Sequence, residues 1–161
     1  MSQASNTGFA VEYETTVFAL EKDAVGPNRA ILLHARTTKT DGPFYKALLY
    51  IHGYSDYYFQ YVNNRHLGKN SHAIFSSDHV CVKFLEQGYD FFALDLRKCG
   101  RSIISPEHDR YRHYFTDIHE YDEEITLSIE HIINEAKNKP KKLIFYGHST
   151  GEKEIYRIKA R

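Results

Sequence analysis

An α/β domain, with a mostly parallel sheet and flanking helices, is the fold class this sequence predicts. Three observations carry that expectation. First, Ala47 to Ile51, Tyr89 to Leu96 and Lys142 to Tyr146 are continuous apolar runs, the pattern of strands buried on both faces. Second, each run ends in a glycine-bearing polar turn. Third, a long helical period separates the last two runs, and strand–helix–strand order implies parallel pairing.

The elements follow in order. Phe9, Val11, Tyr13 and Thr15 share one face of a period-2 stretch, which predicts a half-buried strand. Gly26-Pro27-Asn28 reads as a turn, Ala30 to Thr37 as a second strand, and Asp41-Gly42-Pro43 as another turn. Residues 62–82 show no clear period and contain His66, His72 and His79. Lys83 to Gly88 reads as a helix end stopped by glycine, and Arg97 to Ser102 as a polar turn. The best helix is Ile118 to Asn138. Asp117 can cap it with Glu120 three residues on, and Tyr121, Ile125, Ile129, Ile132 and Ala136 form its apolar stripe. The acids from Glu120 to Glu124 read as a solvated first turn that suits the positive helix end.

Composition narrows the function classes. The 161 residues are 42% hydrophobic, with 21 basic and 21 acidic side chains and no net charge. That composition argues against a disordered, collagenous or coiled-coil chain, and a general electrostatic grip on nucleic acid or anionic membrane is not indicated, although a local patch is compatible with it. There is no run of about 18 uncharged apolar residues, so no transmembrane segment is expected. Residues 1–20 lack a signal-peptide pattern, so the expected location is cytoplasmic, with Cys81 and Cys99 reduced. The three histidines lack H-x-x-x-H spacing, and neither cysteine shows ligand spacing. No metal and no cofactor are expected.

The chemistry-bearing motif is Gly147-His148-Ser149-Thr150-Gly151, a G-x-S-x-G directly after an apolar strand. In such a turn the serine hydroxyl is raised above the sheet. Side chains two residues before and after would collide across the turn, so both positions call for glycine or a similarly small residue. The N–H of Thr150 would point at the oxyanion of a tetrahedral intermediate. His148 is expected to face away and pack against the sheet.

Three segments in order, LLYIHGYSDYYFQ, GYDFFALDLRKCGRS and KKLIFYGHSTG, resemble the α/β-hydrolase superfamily. The resemblance is nearest to its monoacylglycerol-lipase-like and serine aminopeptidase S33-like branch. It implies an α/β-hydrolase fold, with His52 and Gly53 as structural residues of an oxyanion loop and the N–H of Tyr54 as second oxyanion donor. Asp95, Arg97, Gly100 and Ser102 match a D-x-R-G-x-G-x-S turn, with Lys98 where glycine is usual. Asp95 is expected in a turn role. The implied activity is acyl transfer by Ser149 on a carboxylic ester or lipid, with peptides second.

In that fold the acid and the histidine of the triad follow the serine in the chain. Only twelve residues follow Ser149, and all ten histidines precede it. The expected organisation is therefore the N-terminal portion of the domain over 1–151, truncated after the nucleophile-elbow strand. An anomalous insert covers 62–82 and a divergent tail 152–161. The codons of Gly68-Lys69-Asn70 and Gly151-Glu152-Lys153 can each hold an intron donor, which suits both departures. The chain is expected to be an inactive form. The alternative is a non-catalytic interaction module pairing through an exposed sheet edge.

Overall fold

The computed structural model describes residues 11–37, 46–53, 80–136 and 140–159, without the side chains of 11–13, 80 and 156–159. Five strands form one sheet: β1 (Val11–Asp23), β2 (Gly26–Thr37), β3 (Lys46–Ile51), β4 (Asp90–Asp95) and β5 (Lys142–Gly147). Their spatial order is β1-β2-β4-β3-β5. β3 runs parallel to β4 and β5, while β1–β2 and β2–β4 are antiparallel. Among the described residues four helices flank the strands: α1 (Val80–Glu86), α2 (Pro106–Asp109), α3 (Asp122–Glu135) and α4 (Thr150–Lys159).

Two of the continuous apolar runs, β3 and β4, occupy the middle of the sheet because both of its faces are covered there. Leu49, Ile51, Phe92 and Leu94 lie on the face packed by Tyr121, Ile125 and Ile132, together with Ile155 of α4. Leu48, Tyr50, Phe91 and Ala93 lie on the other face, against Cys81, Val82 and Leu85 of α1. Each fully buried phenylalanine contributes about 1.5–3 kcal/mol. β5 is equally apolar in sequence but only half-buried, since it is the edge of the described sheet.

The hairpin corrects two expectations. Its turn falls at Ala24-Val25, ahead of Gly26-Pro27-Asn28, because Asp23 Oδ1 accepts the N–H groups of Val25 (2.8 Å) and Gly26 (3.2 Å). Gly26 takes φ +134° there, a conformation that L side chains rarely adopt. The inward face of β1 is also the even-numbered one: Phe18 and Leu20 meet the core, whereas Thr15 and Val17 are exposed. Phe9, Asp41-Gly42-Pro43 and His66, His72 and His79 lie outside the described residues.

α1 ends at Gly88 in a left-handed conformation (φ +77°), as the glycine stop predicts. Ahead of α3 a 3-10 turn, Ile118–Tyr121, holds the expected capping box. Asp117 accepts the His119 N–H at 2.9 Å and Glu120 accepts the Asp117 N–H at 3.3 Å. The acids after it are not simply solvated, which is a third correction. Glu124 is fully buried and receives the Arg97 guanidinium at 2.7 Å, and Glu123 receives it at 2.8 Å while also accepting the Glu21 N–H. Arg97, Lys98, Cys99 and Ser102 are likewise buried, so the expected polar turn is an internal one. Its charges need partners inside the protein, because an isolated buried charge is prohibitively costly. Lys98 sits at φ +57°, where glycine would be unstrained, and its ammonium pairs with Asp23 and donates to Tyr114 O at 3.3 Å. Burial opposes ionisation of Asp23, but Lys98 and the Val25 N–H outweigh it and hold the carboxyl at about 2.

Among the described residues, no helix is long and apolar enough to cross a membrane.

Candidate active site

The carboxyl ends of the three parallel strands are level, since Ile51 of β3 pairs with Leu94 of β4 and with Gly147 of β5. At this end the chain leaves β5 and turns directly into α4. The His148 N–H donates to Ile51 O at 3.2 Å, and the Gly151 and Glu152 N–H groups close back onto His148 O and Ser149 O at 3.0 and 3.1 Å. Ser149 is forced to φ +55° and is exposed at the apex. For a non-glycine residue that left-handed conformation costs about 1–2 kcal/mol. Thr150 begins the helix beside it.

Close backbone approach explains the glycines. A methyl group on Gly147 would lie 2.5 Å from Glu152 N, across the turn as the motif argument requires. One on Gly151 would lie 2.2 Å from Ile51 O, so that glycine is needed against β3 and not against the turn itself. One on Gly53 would lie 2.8 Å from Ser149 Cβ, which brings the loop after β3 against the serine. Gly53, Gly147, Ser149, Thr150 and Gly151 therefore meet at one place. Tyr54 lies outside the described residues. His148 is exposed, with Nδ1 3.2 Å from the Gly53 Cβ position, so it does not pack onto the sheet as expected.

His52 is fully buried between strand ends. Its Nδ1–H donates to Gly53 O at 2.8 Å, and Nε2 accepts the Leu96 N–H at 3.1 Å. That pair of bonds defines a neutral ring with the proton on Nδ1. Burial, with a lesser repulsion from His113, pushes its pKa down to about 4, despite the opposing bond to Gly53. The unfolded ring titrates near 6.5, so the unfolded chain binds the extra proton between those values. Stability is full above pH 6.5 and falls as the pH drops towards 4. Urea midpoints measured across this window should fall with acid, and His52→Asn should flatten the slope.

Asp95 ends β4. Its Oδ2 accepts the Arg101 N–H at 2.9 Å, its backbone O accepts the Ser102 hydroxyl at 2.7 Å, and a Gly100 methyl would overlap the carboxylate. Sequence reasoning missed the Arg97–Glu124–Glu123 cluster. The available signal was the arginine next but one after β4, with a later helix that opens on consecutive acids. It also missed Cys99, whose Sγ lies 3.1 Å from His113 Nδ1, and whose thiol is pushed well up by burial and the charges of Asp95 and Glu124. Among the described residues, no side chain hydrogen-bonds the Ser149 hydroxyl, and no three His, Cys, Asp or Glu residues converge as metal ligands.

A mixed sheet in this strand order, with a left-handed serine between a parallel strand and a helix, defines an α/β-hydrolase. The family model described as serine aminopeptidase, S33 matches residues 45–153, and the chain belongs to that family. Two solved structures share the fold. A soluble variant of monoglyceride lipase from Saccharomyces cerevisiae, in complex with a substrate analog, is similar with a TM-score of 0.55 and 18% identity over 93% of this chain. The peroxisomal α/β-hydrolase Lpx1 from the same yeast is similar with a TM-score of 0.52 and 11% identity over 88% of this chain. The chain spans 39% of the length of each. No curated protein sequence matches it significantly.

Proposed function

We propose that this chain carries the nucleophile and oxyanion side of a serine hydrolase site acting on carboxylic esters or lipids, with peptides second. The observation that carries the proposal is Ser149 held exposed at φ +55° where β5 turns into α4, with Gly53 packed against it. In this reading Ser149 Oγ attacks the carbonyl carbon as its proton passes to a general base, the N–H groups of Thr150 and Tyr54 receive the charge that develops on oxygen, and collapse of the adduct breaks the ester C–O bond and releases the alcohol with that proton. The order of preference among substrates follows the segments that resemble monoacylglycerol lipases.

The general base is the limiting part. No histidine follows Ser149 in the sequence, and both ring nitrogens of His52 are occupied. A second reading, an interaction module, is favoured by the edge position of β5, where Tyr146 is 37% exposed.

A fluorophosphonate probe separates the two. Slow labelling that disappears in Ser149→Ala supports the nucleophile. A folded, monodisperse chain that never labels favours the module.

A further inference from the structure

Between β4 and α3 the chain makes an excursion whose outward side chains have no role in the site. Ile104 is 44%, Tyr111 45% and Tyr114 50% exposed, whereas most large apolar side chains of the described residues are covered. The two tyrosine rings meet edge-on at 6.0 Å. Arg101, Arg110 and Arg112 are exposed in the same stretch. Its acids are Glu107 and Asp109, and Asp109 is ion-paired to Arg112 at 2.6 Å. Basic residues thus outnumber acidic ones locally in a chain of zero net charge.

The excursion is held from beneath. Arg29 donates to Arg101 O (2.8 Å) and Ile103 O (3.0 Å), buried His108 bonds Asn28 at 3.2 Å, and Lys98 bonds Tyr114 O. Its aromatic and basic groups are therefore presented on a fixed base, and a binding partner need not order them. Tyrosine and arginine each combine an apolar body with a polar end. That chemistry suits the headgroup layer of a bilayer, where both ends are satisfied at once.

We propose that Arg101 to Tyr114 is an interfacial loop that seats this protein on a phospholipid surface, with anionic headgroups preferred. Ile104, Tyr111 and Tyr114 enter the headgroup layer and the arginines meet its phosphates and carboxylates. The loop follows the carboxyl end of β4, and Ser149 follows the level carboxyl end of β5. A protein seated this way has the sheet end bearing Ser149 on the membrane side. The substrate class then becomes an ester resident in the bilayer. That last step rests on the nucleophile reading; the docking does not.

The test is co-sedimentation of the 161-residue chain with vesicles of phosphatidylcholine alone, and with vesicles in which about a third of the lipid is phosphatidylserine. Binding to the anionic vesicles, weakened by salt, is expected. The double variant Tyr111→Ser/Tyr114→Ser, and separately Arg110→Glu, should each weaken it about tenfold. Val17→Ser, exposed on β1, should leave it unchanged and so reports any general stickiness. Circular dichroism checks the fold, and Arg110→Glu decides if the tyrosine variant does not fold. Three results would overturn the proposal: no binding by the folded chain, which leaves the patch to a protein partner; unchanged binding by the loop variants; or equal loss in the Val17→Ser control. Probe labelling of Ser149 in vesicle-free buffer fails or succeeds independently of all three.

Discussion

Glu124→Ala should destabilise the protein by about 3–5 kcal/mol, read as a drop in the urea midpoint at unchanged slope. The carboxylate is fully buried and receives the Arg97 backbone N–H and Nε–H at 3.1 Å and the Nη2–H at 2.7 Å. Burial alone would drive the guanidinium towards deprotonation, but pairing with Glu124 and Glu123 outweighs it and raises the Arg97 pKa. Alanine removes the main partner and leaves a buried cation with only Glu123, itself one-third exposed. The loss is a large part of the 5–15 kcal/mol that holds a typical domain together. Replacing both partners, as Arg97→Met with Glu124→Leu, should cost far less, because no charge is then stranded. Equal losses in the single and double variants would mean that shape, not charge, governs this junction. The effect should spread beyond the pair, since Glu123 also binds the Glu21 N–H of β1.

Gly151→Ala is expected to be about as damaging, for a steric reason. The added methyl would sit 2.2 Å from Ile51 O and 2.7 Å from His52 O. Both are backbone atoms at the end of a buried strand, so neither can swing aside. Relief requires α4 to back away from β3, and overpacking of this kind costs about 3 kcal/mol or more. For a chain of this size the melting temperature should fall by roughly 6–12 °C. The same shift carries Ser149 away from Gly53, so probe labelling should fall more steeply than the folded fraction. Labelling that simply tracks the folded fraction would show that serine placement tolerates the displacement.

Much of the fold was legible because local patterns and tertiary outcome agree. Continuous apolar runs can be buried only between two covered faces, and β3 and β4 are. Gly88 and the Asp117–Glu120 box work through bonds that span a few residues, so nearby sequence suffices to place them. The turn at Ala24-Val25 was misplaced because Asp23 supplies the acceptor there, while Gly26-Pro27 carries the stronger compositional signal. The burial of the polar turn 97–102 was not legible because its partners, Glu124, Asp23 and Tyr114, come from distant parts of the chain. The inward face of β1 was likewise hidden, since α3 chooses which side is covered.

The same division applies to the site. Gly147-His148-Ser149-Thr150-Gly151 after an apolar strand is enough to specify a strand–turn–helix with the serine at its apex, because the steric demand is local. The family likewise followed from ordered motifs. Tertiary structure alone decided that Gly151 answers to β3, that His52 is a neutral brace between Gly53 and Leu96, and that the arginine after β4 is neutralised inside the protein. Each of these depends on a partner brought close only by sheet order, and a buried polar group takes its character from the partner it is forced to find.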